Sequence, residues 1–256
     1  FSHNKINRRN RLLAFAPEYN SDTVRFQDEN YILTALPGTG KEVELISKNI
    51  NSKILTGSDA SELNFRKSYK NHDILHLAMH AFINDSLPAF SCFAFTPVEE
   101  NNQENDGWLN TADIYNLDLN ARLAVLSACN TGTGKLRRGE GIMSLARGFL
   151  YAGCPSIIMT LWEAEDIAGT KIMTSFYRNL KKGKNKNEAL RLAKMNYLEN
   201  AGPHMAHPHY WLGYVSIGNP SPLFKSYDFY FFIILLASLI GIIVDQVIRL
   251  KKKRQS

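Results

Sequence analysis

A histidine and a cysteine each follow a short apolar run, and together they could act as a base and a nucleophile. His80 comes directly after DILHLAM, residues 73–79, and Cys129 comes directly after RLAVLSA, residues 122–128. A nearby imidazole can hold a thiol partly as thiolate at neutral pH, and a thiolate attacks carbonyl carbon. The pair therefore indicates nucleophilic catalysis. The alternative is that Cys129 is a small packing residue at the end of a buried strand.

The elements around this pair predict an α/β fold with a largely parallel sheet. The two runs and SIIMTLW, residues 156–162, have the length and composition of buried strands. Helical patterns cover 139–153, 166–183 and 187–202, and Gly153 and Gly183 are typical helix stops. Ligands of such sheets gather at the carboxyl ends of the strands. If the first two strands are neighbours, His80 and Cys129 share that edge.

The order of the two residues along the chain distinguishes classes of cysteine peptidase. His80 precedes Cys129 by 49 residues, whereas His204, His207 and His209 follow it by 75 to 80 residues. Caspases place the histidine about 50 residues before the cysteine, and papain-like enzymes place it about 130–150 residues after. The order here matches the caspase pattern.

Several ordered motifs extend this likeness over most of the chain. They are HLAMHAF, LSACNTGTG, RGEGIMSLARGFLYAGCPSIIMTLW, FYRNL and HPHYWLGYVSIGNP. Together they resemble the CHAT domain, a caspase-like cysteine peptidase module related to separase and commonly found behind tetratricopeptide repeats. The resemblance implies a CHAT domain over residues 12–222, with a caspase-like, mostly parallel sheet between layers of helices. It also implies that residues 1–11 end an upstream region, which could hold such repeats.

The resemblance also implies roles for individual residues. His80 becomes the general base and Cys129 the nucleophile, and the backbone amides of Ala81 and Cys129 form the oxyanion hole. The family usually has glycine at position 81, so Ala81 departs from the pattern. In LWEAED, residues 161–166, Asp166 matches an aspartate of separase that binds a basic side chain before the scissile bond. A helix cap is an equally good interpretation of Asp166.

Other ligand classes have little support in the sequence. His72, His76 and His80 are spaced four apart, but Leu77 stands where a zinc protease needs glutamate, and His76 reads as a hydrogen-bonded core histidine. Two GTGK segments lack the first glycine and the hydroxyl residue of a phosphate-binding loop. We therefore expect neither a metal nor any other cofactor. Cys92 and Cys154 are expected to be buried structural thiols.

The charge distribution argues against nucleic acid and towards a membrane. The net charge is +6, but residues 245–256 hold four of those charges, which leaves two for the preceding 244 residues. Residues 229–244 are uncharged and mostly apolar, and the basic tail 249–256 follows. A single transmembrane helix over 228–248 is predicted, which places the protein at a cell membrane. The side on which the main domain lies is left open.

These observations favour a membrane-tethered cysteine endopeptidase that cleaves protein substrates, with a basic residue before the scissile bond as the candidate specificity. Its partners would be the protein substrate, the membrane, and N-terminal tetratricopeptide repeats or another regulatory partner. The alternative is a catalytically inactive CHAT scaffold that binds other proteins. The retention of both His80 and Cys129 favours the enzyme, whereas Ala81 favours the scaffold.

Overall fold

The computed structural model describes residues 11–19, 22–26, 29–84, 86–96, 106–130, 140–162 and 165–225, together with positions 233, 237, 238, 240 and 241. Within these ranges, residues 22–31, 128–130 and 140–142 are described by their backbone. All structural statements below refer to these parts of the chain.

The described part of the chain contains ten strands and six α-helices. The strands are β1 (Leu12–Ala16), β2 (Asp22–Phe26), β3 (Glu29–Leu33), β4 (Ser52–Thr56), β5 (Ile74–Phe82), β6 (Cys92–Ala94), β7 (Trp108–Asn110), β8 (Leu123–Asn130), β9 (Ser156–Thr160) and β10 (Tyr214–Gly218). The helices are α1 (Pro37–Ser47), α2 (Glu62–Ser68), α3 (Thr111–Tyr115), α4 (Glu140–Tyr151), α5 (Asp166–Lys181) and α6 (Lys186–Glu199).

The main sheet confirms the predicted parallel arrangement. Its strand order is β10-β9-β8-β5-β1-β4, in which the five strands from β9 to β4 run parallel and β10 runs antiparallel to β9. Two short strands extend the sheet beside the last residues of β5, since β6 pairs with Ala81 and Phe82 and β7 pairs with β6, both antiparallel. The hairpin of β2 and β3 forms a separate two-stranded sheet.

Helices cover both faces of the main sheet, and each face has its own apolar core. One core is formed with α2, α3 and α4, through buried side chains such as Phe65, Ile114 and Phe149. The other is formed with α1, α5 and α6, through side chains such as Ile46 and Phe176. The central strands are apolar on both sides because both faces are covered.

Local sequence signals set the helix ends. Ser61 caps α2 by accepting a hydrogen bond from the Asn64 amide. Gly153 and Gly183 follow α4 and α5 with φ of 105° and 80°, which confirms both as helix stops.

The structure corrects several predicted strand boundaries. The antiparallel strands β2 and β3 precede α1. The strands β1 and β4 were not predicted. The strands β5 and β8 run to Phe82 and Asn130, further than the apolar runs that end at residues 79 and 128. His80 and Cys129 therefore lie inside strands rather than directly beyond them.

Among the residues that the structure describes, no helix has the length and apolar character needed to cross a membrane. The span predicted over residues 228–248 lies almost entirely outside those residues, as does the basic tail 249–256.

Candidate active site

The pairing of two parallel strands brings the predicted catalytic residues to the same level of the sheet. The strands β5 and β8 are direct neighbours, and their register runs from Ile74 opposite Leu123 to Ala81 opposite Asn130. In this register His80 stands opposite Cys129. The Cα atoms of opposed residues on adjacent strands lie about 5 Å apart. The condition that the two strands are neighbours is therefore met, while the Cys129 side chain lies outside the described atoms.

A backbone carbonyl fixes the imidazole of His80. Its Nε2 lies 2.8 Å from the carbonyl oxygen of Thr34, which precedes α1. A carbonyl oxygen can only accept a hydrogen bond, so Nε2 carries a proton and the neutral ring is basic at Nδ1. The side chain is only 2% exposed.

Tyr19 holds the other side of His80. The two rings lie with their centroids 4.6 Å apart and their planes tilted by 44°. The Tyr19 hydroxyl accepts a hydrogen bond from the His80 amide at 3.3 Å and donates one to the Ala94 carbonyl at 2.5 Å. Burial raises the pKa of Tyr19 well above its ordinary value, while the hydrogen bond from the His80 backbone opposes that rise. The hydroxyl is therefore protonated at neutral pH and can make both bonds.

Neither Thr34 nor Tyr19 was singled out from the sequence. Thr34 acts through its carbonyl oxygen, which every residue type possesses, so no residue-type pattern could have marked it. Tyr19 lies 61 positions before His80, in the segment that follows β1. The strand pattern of β1, which was also missed, is the signal that could have placed it.

Ala81, the predicted oxyanion donor, has the extended backbone of a strand residue and not a left-handed conformation. Alternate amides of a strand point to opposite sides. Because the His80 amide points towards Tyr19, the Ala81 amide points towards β8, the strand that carries Cys129. The pairing also continues through Ala81 opposite Asn130 on β8 and Phe93 on β6. Alanine is thus tolerated at this position, within a sheet that extends past it.

Asp166 joins the starts of two helices. It is the first residue of α5, whose cap is Glu165, so it is not the helix cap that the sequence also allowed. Its Oδ2 accepts a hydrogen bond of 3.0 Å from the amide of Gly38 at the start of α1. A Cβ atom at position 38 would lie 2.5 Å from Cβ of Asp166, so the approach of the two helices requires glycine there. The carboxylate is only partly buried.

His76, four residues before His80, belongs to a buried polar cluster. Its Nδ1 lies 3.0 Å from the hydroxyl of Tyr177 on α5. Its Nε2 lies 2.9 Å from Oε1 of Glu42 on α1, without the alignment of a hydrogen bond in the described part of the chain. Burial, and then the Glu42 carboxyl, raise the pKa of Tyr177 far above its ordinary value. This confirms His76 as a core histidine, and its partners Glu42 and Tyr177 were not foreseen.

The other two cysteines are packing residues. Cys92 is fully buried in β6, and burial raises its pKa well above the ordinary value. Cys154 is also fully buried and its thiol points to the Ser156 carbonyl oxygen at 3.3 Å. Burial raises the pKa of Cys154 to about 11. Both thiols are therefore protonated at neutral pH, as was predicted for structural cysteines.

Most of the chain is similar in sequence to a known domain family. The sequence model of the CHAT domain family matches residues 2–219. Tetratricopeptide repeat protein 28 from Homo sapiens is 23% identical over 220 residues, which are 75% of this chain and 9% of that protein. The Mus musculus protein of that name is 30% identical over 111 residues, which are 43% of this chain and 4% of that protein. The chain thus spans less than a tenth of the length of these relatives.

Among solved structures, the Arg-specific cysteine proteinase gingipain R superposes on this fold with a TM-score of 0.50 and 11% sequence identity. The alignment covers 85% of this chain and 48% of the proteinase. At this level of identity the likeness concerns the fold. The match over residues 2–219 shows that the chain belongs to the CHAT domain family, and its fold is similar to that of a cysteine proteinase.

Proposed function

We propose that this protein is a cysteine endopeptidase in which Cys129 is the nucleophile and His80 the general base. The observation that carries the proposal is the register of β5 and β8, which sets His80 opposite Cys129 on adjacent parallel strands. The family membership and the cysteine-proteinase fold support the same class of chemistry.

The orientation of His80 supports its role as the base. With Nε2 donating to the Thr34 carbonyl, the lone pair of the neutral ring is on Nδ1. The carbonyl therefore orients the ring as the third member of a catalytic triad does. The two-residue period of a strand predicts that residue 129 shares the face of Leu123 and Val125, which pack in the same core as Ala78 on β5. His80 is an even-numbered residue of β5, like Ala78, so the period puts it on that face too.

The proposed reaction uses this pair in two steps. His80 takes the proton of the Cys129 thiol, and the thiolate attacks the carbonyl carbon of the scissile peptide bond. Backbone amides of Ala81 and Cys129 would stabilise the oxyanion, and His80 then gives its proton to the leaving amine. Water, deprotonated by His80, hydrolyses the thioester and regenerates the enzyme.

Asp166 is proposed to favour a basic residue before the scissile bond. It lies at the start of α5, the helix that follows β9 at the carboxyl edge of the sheet. One of its oxygens is engaged by the Gly38 amide. A carboxylate has two oxygens and accepts several hydrogen bonds, so a guanidinium can be bound as well.

A second function, a catalytically inactive scaffold, is favoured by one specific observation. The strand pairing continues through Ala81 and Asn130, so the amide proposed for the oxyanion hole faces a paired strand. The enzyme requires the pairing of β5 and β8 to open at Ala81 and Asn130 when substrate binds. Such opening is a natural point of control for a regulatory partner, and the tetratricopeptide repeats in the relatives' name make an upstream repeat region the candidate.

We further propose that residues 228–248 form a single membrane-spanning helix that tethers the domain. The support is the run of sixteen uncharged residues at 229–244 and the basic tail that follows. Resistance of the full chain to extraction from membranes by alkaline carbonate tests this part of the proposal independently of catalysis.

Active-site labelling tests the peptidase proposal. The full chain would be treated with a peptidyl acyloxymethyl ketone that carries arginine, beside the variants Cys129→Ala and Cys154→Ala. The adduct should form in the parent protein and in Cys154→Ala, since at pH 7 a thiol of pKa about 11 is ionised in only about one molecule in ten thousand. It should be absent from Cys129→Ala. Unchanged labelling of Cys129→Ala, or no labelling of the parent, would contradict the peptidase and favour the scaffold.

Asp166→Asn tests the specificity proposal with the same reagent. Asparagine keeps an oxygen for the Gly38 amide and removes the charge, so labelling by the arginine ketone should slow about tenfold, and labelling by a norleucine ketone should not. Glu165→Gln, at the adjacent helix cap, is the matched control and should leave both rates unchanged. An equal loss with both reagents in Asp166→Asn would mean that Asp166 has a structural role.

A further inference from the structure

Two adjoining clefts at the amino-terminal end of the sheet are lined with basic side chains. The first, of about 430 Å³, is lined by Arg11, Lys53, Lys67 and His72 together with serine and asparagine residues. The second, of about 500 Å³, is lined by Lys48 and Lys181 among others. Both clefts include Asn51 and Ser52, so they form one continuous surface. No acidic residue lines either cleft in the described part of the chain.

Few acidic groups oppose these cations. Asp73, next to His72, is buried and lies 3.8 Å from Nε of Arg122. Glu44 pairs with Lys48 at 2.9 Å, and that pair is exposed. Asp118 is exposed in the segment before β8. Partial burial is the main cause that lowers the pKa of His72, and the nearby charges of Arg11 and Lys53 lower it further. The surface therefore carries an excess of positive charge at neutral pH.

The end of the described chain lies at this same end of the sheet. The strand β10 runs antiparallel to β9, so its last residue, Gly218, pairs with Ser156, the first residue of β9. The following segment runs past the start of β8, where Nη2 of Arg122 donates to the Leu223 carbonyl at 2.6 Å. The start of β5 lies beside the start of β8. Arg11 lies next to the start of β5, since the amide of Asp73 donates to the Arg11 carbonyl at 3.1 Å.

We propose that this basic end binds the anionic headgroups of a phospholipid bilayer. The inference rests on the proposed membrane helix, which begins three residues after Lys225, the last residue described before it. A helix that leaves the domain at this end brings Arg11, Lys53 and Lys67 to the bilayer surface. His80 and Cys129 lie near the opposite, carboxyl ends of β5 and β8, so docking turns the candidate active site away from the lipid.

Hydrogen exchange of the full chain, reconstituted in vesicles, tests the docking. Residues 48–54 and 67–72 should exchange more slowly in phosphatidylcholine containing phosphatidylglycerol than in phosphatidylcholine alone. Each lysine or arginine at an anionic surface strengthens binding by roughly fivefold, so the triple variant Arg11→Gln, Lys53→Gln, Lys67→Gln should reduce the docked fraction relative to the undocked by about a hundredfold. High salt should weaken the protection.

The matched control removes three exposed cations that line neither cleft, through Lys41→Gln, Arg147→Gln and Lys171→Gln. This variant has the same net charge as the first and should keep the protection. Equal exchange in the two kinds of vesicle, or equal loss of protection in both triple variants, would overturn the proposal. So would the same protection in neutral vesicles on addition of inorganic phosphate, which would make the clefts a site for a soluble anion.

The tether and the docking surface fail in different ways. If the full chain does not stay with neutral vesicles, the membrane helix is wrong, whatever the clefts do. If it stays with neutral vesicles but shows no added protection in anionic ones, the helix stands and the lipid-binding surface is wrong.

Discussion

The strand β5 carries two histidines four residues apart, and their side chains have different partners. His76 is held by two side chains from two helices, Glu42 of α1 and Tyr177 of α5, and is fully buried. His80 is held by a backbone carbonyl before α1 and stands opposite Cys129. The first arrangement joins the helical layer to the sheet. The second orients the imidazole with Nδ1 as its basic nitrogen, which is the orientation that the proposed catalysis uses.

Replacement of His80 should have the largest effect, and on activity. His80→Ala removes the general base and should lower the rate of peptide cleavage or of ketone labelling about a thousandfold, since a positioned acid or base contributes about 10² to 10⁴. The midpoint of thermal unfolding should fall less than in a His76 variant, although the buried ring and its bond to the Thr34 carbonyl are lost. His76→Ala is the comparison, and the expected pattern is the reverse: a large loss of stability with near-normal activity in the fraction that remains folded.

Removal of the carboxyl group beside His76 should have the next largest effect, and on stability. Glu42→Ala leaves a buried imidazole and the Tyr177 hydroxyl without their acidic neighbour, at a cost of about 3 kcal/mol in the free energy of unfolding. Glu42→Gln keeps the shape and one oxygen, so it should cost about 1 kcal/mol. Denaturant titration of the two variants measures the difference. If Glu42→Ala is as stable as the parent protein, the cluster does not hold α1 on the sheet.

The two histidines also show how far the sequence could predict the structure. The apolar run 73–79 placed His76 in a buried strand and His80 directly after it, and a shared edge for His80 and Cys129 depended on their two strands being neighbours. The strands β1 and β4 were missed because the first is only five residues long and the second, SKILT, exposes much of its surface and lacks an apolar run. The ends of β5 and β8 were placed too early because the polar residues His80 and Asn130 still pair in the sheet.

The partners of both histidines were beyond the reach of sequence patterns for a common reason. Glu42 lies 34 residues before His76 and Tyr177 lies 101 residues after it, so only the packing of α1 and α5 on the sheet brings them together. Thr34 contributes a carbonyl oxygen, which carries no information about residue type. Local patterns predict elements and the residues at their ends, while such contacts depend on tertiary packing.

Tyr19 provides the smallest and most discriminating test, because it contacts His80 through the backbone and through the ring. Tyr19→Phe leaves the His80 amide and the Ala94 carbonyl without the hydroxyl, which should cost about 1–2 kcal/mol of stability. Tyr69→Phe is the matched control, because the described side-chain contacts of Tyr69, with Phe65 and Lys70, are made by its ring, and it should cost less than about 0.5 kcal/mol.

The kinetic parameters of Tyr19→Phe then decide whether Tyr19 only stabilises the fold. If it positions His80, kcat should fall about tenfold with KM unchanged, because the substrate-binding residues are intact while the imidazole is less well fixed. Since burial raises the pKa of Tyr19 well above its ordinary value, the ratio of kcat in the parent protein to kcat in Tyr19→Phe should stay constant across neutral pH. A variant that is less stable but has the parent's kcat would assign Tyr19 to the core alone, and the chemistry at the His80 end would then depend on the Thr34 carbonyl without help from the tyrosine.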